Sequence, residues 1–427
     1  MKKVLIITYY WPPAGGPGVQ RWLKFTRYLP EFGFEPVVYA PKNADYPIVD
    51  TALASEISPK LEVMKKPIFE PYFLAKLFSK KQTKNISSGI IADEDNQGLL
   101  QRIMLFIRGN FFIPDARKFW VKPSIRFLEK YISANSIQTI ITTGPPHSMH
   151  LIGLNLKKKL NIDWLADFRD PWTQIGYHKN LKLTAKSEKK HLKLEKEILD
   201  NADKILVTSF TTQQEFKNKT RTPIKVITNG FDIEINKKTP ENNKFVISHI
   251  GSLLSGRNPE NLWKCLGELV KENKKFSDDL ELHLVGKISD QVIKSVKENG
   301  LEKHLFLQGY VTHSEAVNIQ QNSDVLLLIE IDSRETRGII PGKIFEYLAA
   351  RRPILAIGPE NWDAARIISE TQSGTTYTYR DTKELKNKLL QYYDLFLEKK
   401  LNVDSTDLQK YSRRYLTGLL AEEINTL

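Results

Sequence analysis

Short apolar runs alternate with helical periodicity along the whole chain, and this alternation limits the possible folds more than any other feature. In the first half it predicts strands at Val4–Thr8, Pro36–Ala40, Ile137–Thr143, Trp164–Ala166, Ile205–Ser209 and Ile224–Thr228. In the second it predicts strands at Phe245–Ile250, Leu280–Val285, Val325–Ile329 and Ile354–Ile357. Val19, Trp22, Phe25 and Leu29 lie on one face of an intervening helix, which Gly33 is placed to end. Strands separated by helices pair in parallel, because a parallel pair needs a long crossover. The expected class is α/β, doubly wound. At 427 residues, 41% of them hydrophobic, the chain can form about two to three domains. We find no internal repeat.

Composition narrows the setting. A single cysteine, Cys265, excludes an internal disulfide framework and fits a reducing compartment. The basic, apolar N-terminus runs into Pro12-Pro13 without a small-residue cleavage site, so it reads as a first strand. No apolar stretch approaches the ~18 residues that span a bilayer. The expected location is cytoplasmic. A net charge of +13 calls for an anionic partner. Zinc-finger spacing, an RNP-like strand and long basic runs are all missing, which argues against nucleic acid and for a membrane surface with a phosphorylated substrate.

The most informative stretch is Gly338-Ile-Ile-Pro-Gly-Lys-Ile-Phe-Glu-Tyr-Leu-Ala-Ala-Arg-Arg-Pro-Ile-Leu-Ala-Ile-Gly358. It reads as a tight loop, a short helix that Pro353 stops, and a buried strand. Gly338 and Gly342 allow close backbone approach, and Pro341 suits a first helical turn. Such a helix start presents N–H groups and a positive dipole end to an anion. A phosphate near Lys343 and a sugar diol near Glu346 fit that geometry. An ordinary loop–helix–strand unit, with both side chains in solvent, fits it equally.

The stretch resembles the donor-binding segment of retaining glycosyltransferases of the GT-B fold, especially family 4. The resemblance implies two Rossmann-like domains whose parallel sheets face a central cleft, with chemistry between them and no metal or cofactor. It implies that Glu346 binds the ribose of a nucleoside-diphosphate sugar, with Gly338, Ile340, Pro341 and Gly342 around the donor. A second family glutamate, eight residues earlier, is here Gly338. Gly251-Ser-Leu-Leu-Ser-Gly-Arg257 resembles the family's phosphate loop, with Gly251 and Ser252 on the donor. Ser252 replaces its arginine, and Arg257 stands where a lysine is usual. Arg257 and Lys343 are then the catalytic cations for the leaving diphosphate.

The first half supplies an acceptor side. Gly15, Gly16, Gly18 and Arg21 follow the first strand. They fail the dinucleotide fingerprint, because Arg21 stands at its third glycine and no acid closes the second strand. They resemble instead the GT-B loop against acceptor and donor phosphate. Gly144-Pro-Pro-His-Ser148 and Asp167-Phe-Arg-Asp-Pro-Trp172 end two predicted strands, where ligands of open α/β sheets bind. His147, Asp167, Arg169 and Asp170 form this constellation, and His147, Asp167 and Asp170 are the candidate bases.

The expected domains are residues 1–236, with an irregular insert at about 66–122, then 237–404, and a helical segment 405–427 that returns to the first. Asp93-Glu-Asp95 has metal-site spacing but reads as a solvated loop. Lys76, Lys80 and Lys81, with Phe111, Phe112, Phe119 and Trp120, point to an anionic inner leaflet and a saccharide or lipid-linked acceptor. The amphipathic run from Gly98 to Arg108 suits a membrane interface, but reads slightly better as a helix that covers a sheet. Cell-surface polysaccharide or glycolipid synthesis is the expected role. A nucleotide-sugar epimerase of the same fold and a non-catalytic scaffold are the alternatives.

Overall fold

A computed structural model describes residues 1–71, 99–174, 178, 181–232, 234 and 242–427. The chain divides into two compact units, Met1–Asn229 with Arg413–Leu427, and Gly230–Ser412. Lys76, Lys80, Lys81, Asp93–Asp95 and Gly98 lie outside the described residues.

The first unit is built on a seven-stranded sheet. Its strands are β1 (Lys2–Ile7), β2 (Phe34–Pro41), β3 (Glu62–Lys66), β4 (Thr139–Gly144), β5 (Asp163–Phe168), β6 (Lys204–Val207) and β7 (Ile224–Val226). They run parallel in the order β3-β2-β1-β4-β5-β6-β7. The order reverses between β1 and β4, which opens a crevice at their carboxyl ends. Strand side chains alternate between faces, so β1 feeds two cores. Leu5 and Ile7 join Val37, Ile140 and Trp164 on one side, while Val4 and Ile6 join Val38, Ile141 and Trp22 on the other.

The second unit has six parallel strands, β8 (Phe245–Ile250), β9 (Leu280–Val285), β10 (Leu305–Gln308), β11 (Val325–Ile329), β12 (Ile354–Ile357) and β13 (Gly374–Tyr377). Their order is β10-β9-β8-β11-β12-β13, with the reversal between β8 and β11. Helix Lys343–Ala350 leads into β12 through Arg351, which takes the left-handed conformation at φ 53°.

Some elements differ from the sequence reading. β6 ends at Val207, because the Ser209 side chain accepts from the Thr212 N–H and starts a helix at Phe210. The described part of the insert holds helices Leu99–Phe111 and Lys118–Ala134. Trp120 belongs to the core, where it stacks on Tyr39 at 4.8 Å and its indole N–H donates to the Pro67 carbonyl. The C-terminal helix spans Arg413–Asn425, and Leu416, Leu420 and Ile424 share a core with Val19 and Trp22 of helix Pro17–Tyr28. The division therefore falls at Asn229/Gly230 and Ser412/Arg413, where the reading placed it at 236/237 and 404/405. Among the described residues, no helix is long and apolar enough to cross a membrane.

Candidate active site

In the second unit the loop after β8 and the start of helix Lys343–Ala350 meet. Gly251 has φ +119°, and a Cβ there would stand 2.9 Å from Lys343 Nζ. Glycine is what lets the lysine lie against the backbone. Lys343 Nζ is 3.3 Å from Nε2 of His249, a buried residue of β8. Nδ1 of that ring is 3.2 Å from the Leu327 carbonyl, which only accepts. Nδ1 therefore carries the proton and Nε2 accepts from Lys343. Burial, with the Lys343 charge beside it, holds His249 well below the usual histidine range. Lys343 itself is lowered to about 7, by burial first and then by the Arg257 charge, against the pull of Glu330 and Glu346. A lysine so placed gains from an arriving anion.

Arg257 is engaged. Its Nε and one terminal nitrogen donate to the two carboxylate oxygens of Glu330 at 2.9 and 3.2 Å. Glu330 is buried and Arg257 is 30% exposed, so the pair is closed on the carboxylate side and part of the arginine remains open. Glu346 accepts from the Gln320 amide at 2.8 Å and lies 3.9 Å from His313, leaving its carboxylate partly open. Helix Lys343–Ala350 has no side-chain N-cap, and Pro341, Gly342 and Ile340 precede it, partly exposed. Gly338 is partly exposed, and Ser252 is exposed.

The first unit corrects two assignments. Asp167 is fully buried and accepts from Arg21, from the Trp22 indole at 2.8 Å and from the Thr143 hydroxyl at 2.8 Å. Arg21 is 1% exposed, and its other terminal nitrogen donates to the Thr228 carbonyl at 2.8 Å. The pair ties helix Pro17–Tyr28 to β4 and β5, and both side chains are closed off from solvent, so Asp167 is not open to an acceptor hydroxyl nor Arg21 to a phosphate. The loop glycines are explained within the protein. A Cβ on Gly15 would meet Ile48 at 2.9 Å, Gly16 has φ +104°, and a Cβ on Gly18 would overlap the Arg169 guanidinium. Arg169 packs over Tyr10 and donates to the Pro145 carbonyl.

Beside this pair lies a cavity of about 180 Å³, with Tyr10, Asp115, Arg117, His147, Asp170 and Trp172 in its wall. Asp115 accepts from the Ser148 N–H and hydroxyl, which fixes the helix that starts there. Arg117 is paired with Glu70 at 3.0 Å. His147 is different. Its ring stacks on Trp172 at 5.0 Å, it is 5% exposed, and neither ring nitrogen has a hydrogen-bond partner among the described residues. Burial and the neighbouring His150 keep it neutral, well below the usual histidine range. A neutral imidazole offers one donor and one acceptor to a hydroxyl-bearing ligand. Asp170 is exposed at the rim and makes no side-chain hydrogen bond to a described residue.

Residues 244–394 match the family model described as glycosyl transferases group 1. The match lies within the second unit. The whole chain also superposes on the crystal structure of Anabaena HepE in complex with UDP, at TM-score 0.65 and 14% identity, covering 100% of both chains. A Staphylococcus aureus TarM variant in complex with fondaparinux, α-GlcNAc-glycerol and UDP matches at TM-score 0.55 and 14% identity, over 99% of each chain. The two units thus have the Rossmann-like build of GT-B glycosyltransferases. A curated relative, the poly(ribitol-phosphate) α-N-acetylglucosaminyltransferase of Staphylococcus aureus (strain COL), is 21% identical over 277 residues, which are 62% of this chain and 50% of that protein. The chain spans about half the length of the curated relative it matches.

The second unit contains polar residues that the sequence reading missed. Glu330 directly follows the apolar run Val325–Ile329, and the rule that ligands gather at carboxyl ends of strands points to it. His249 sits inside a strand, and Gln320 on a helix, with no local pattern to single them out.

Proposed function

We propose that the protein is a retaining glycosyltransferase of the family 4 kind, which moves a sugar from a nucleoside diphosphate to a saccharide or lipid-linked acceptor in cell-surface polysaccharide or glycolipid synthesis. The observation that carries this reading is the Lys343–Gly251 contact, with Arg257 and Glu346 on the same domain. Breaking the anomeric C–O bond leaves charge on the diphosphate, and Lys343, Arg257 and the helix start are placed to stabilise it. Glu346 takes the ribose diol. Cations in these positions do the work that a metal does elsewhere, so the reaction is read as metal-independent. UDP in the HepE complex favours a uridine nucleotide, and the ribitol-phosphate polymer in the curated relative's name fits an acceptor attracted by a +13 chain.

The acceptor is assigned to the cavity of the first unit, with a ring on Trp172 and a hydroxyl on His147. His147 and Asp170 remain the groups able to take its proton; Asp167 does not. The test is incubation with a panel of nucleotide sugars. Slow release of the nucleoside diphosphate is the expected result. An altered sugar on intact nucleotide means an epimerase, and no turnover means a scaffold; either overturns the reading.

The membrane assignment rests on helix Leu99–Phe111 and its surroundings. Ile103, Phe106, Ile107, Phe111 and Phe119 are exposed, and Lys118 lies over the Phe112 and Phe119 rings. Apolar side chains with adjacent cations suit an anionic interface, where each basic residue contributes about 1 kcal/mol. Salt-sensitive flotation with anionic liposomes is expected, weakened by glutamate at Lys76, Lys80 and Lys81. Absence of binding at low salt makes the acceptor a soluble one.

A further inference from the structure

The carboxyl ends of β11, β12 and β13 border a second cavity, of about 190 Å³, whose wall includes none of Lys343, Arg257 and Glu346. Arg334, Arg337 and Arg380 line it, with Asp332 and Glu360. The Arg337 Nε is shielded from solvent and has no hydrogen-bond partner among the described residues. Neither Arg334 nor Arg337 makes a side-chain hydrogen bond or ion pair to a described residue, and Arg380 has only a loose 3.8 Å contact with Glu360. By contrast, Arg257 has its full carboxylate partner in Glu330. Three guanidinium groups thus face two carboxylates, of which Asp332 is exposed and Glu360 loosely held.

Guanidinium groups in a cavity wall that lack a full carboxylate partner gain from a bound anion. The planar fork of an arginine fits the two oxygens of a carboxylate or phosphate. The cavity is also tied to the diphosphate cation. The Tyr379 hydroxyl, one residue before Arg380, donates to the Glu330 carbonyl at 2.9 Å. The Ile331 N–H, at the start of the segment holding Arg334 and Arg337, donates to the Glu330 carboxylate at 2.9 Å. Glu330 therefore supports Arg257 on one side and the cavity wall on the other.

We propose that this cavity is an oxyanion subsite, which takes one carboxylate or phosphate group apart from the diphosphate assigned to Lys343 and Arg257. On the donor reading, from which this part follows, the group is the carboxylate of a hexuronate on the nucleotide. A free phosphate is the other source of the same chemistry.

Calorimetry on the full chain with UDP, UDP-glucose, UDP-glucuronate and inorganic phosphate separates them. Arg337→Gln and Arg334→Gln are the variants; Arg334 is exposed, so its replacement keeps the test available if the first destabilises the fold. If the sugar carries the anion, each variant weakens UDP-glucuronate about tenfold and leaves UDP and UDP-glucose unchanged. If the anion is free, phosphate binds alongside UDP and loses about tenfold in the variants. Phosphate binding that depends on Arg337 in a protein that binds no nucleotide keeps the subsite and removes the donor reading. Unchanged affinity for both UDP-glucuronate and phosphate in both variants, or no binding of either to the unaltered protein, overturns the proposal.

Discussion

At Lys343 burial and the Arg257 charge oppose the pull of Glu330 and Glu346, and the balance leaves the amine at about 7. Its ordinary value is 10.5, so the folded state binds fewer protons than the unfolded state between those two values. Stability of the free protein should therefore rise with pH across that window. Donor affinity should move the other way, because a neutral lysine attracts the diphosphate less. Calorimetric titrations of UDP-sugar from pH 6 to 9 should show affinity falling above about 7 with proton uptake, and Lys343→Met should remove the uptake. Glu346 has a simpler role. Two charge-assisted hydrogen bonds to a diol are worth roughly 1.5–3 kcal/mol each, so Glu346→Ala should weaken nucleotide binding at least tenfold without lowering the melting temperature. An unchanged dissociation constant removes the ribose assignment.

Among the elements, helix Pro17–Tyr28 is locked by Arg21 and Trp22 onto Asp167. Removing one partner of a buried pair leaves the other charge unmatched, which costs about 3–5 kcal/mol. Asp167→Ala should therefore lower stability by that amount in urea unfolding, whereas loss of an exposed acceptor base would slow turnover alone. The Arg413–Asn425 helix contributes by packing. Leu420→Ala empties a fully buried position and should cost about 2–5 kcal/mol in the same assay. Three strands escaped the sequence reading for a shared reason. β3 and β10 are sheet edges and β13 is the last strand of its sheet, with exposed or half-buried side chains in place of an apolar run. Apolar runs mark strands covered on both faces.

For the whole molecule, two units with separate cores predict separable responses. Ligand that binds only the native second unit stabilises it by about 2.7 kcal/mol at a hundredfold excess over the dissociation constant. In scanning calorimetry UDP should raise the transition of residues 230–412, while Leu420→Ala should lower that of the first unit. A single transition that moves as one in both experiments would show that the units unfold together.

The sequence alone determined the parallel α/β plan, the helix after Gly342 and the placement of Lys343 and Glu346 on it, since these depend on local periodicity and on glycine and proline. Tertiary structure decided which charges are free. Asp167, Arg21 and Arg257 look alike in the sequence, as polar groups beside strand ends. The first two neutralise each other at 3.0 Å in the core, and the third shares Glu330 from 73 residues away. His147 differs again, for only packing against Trp172 leaves its nitrogens unmatched. Partners distant along the chain decide whether a charge serves the fold or remains for a ligand, and no local spacing carries that information.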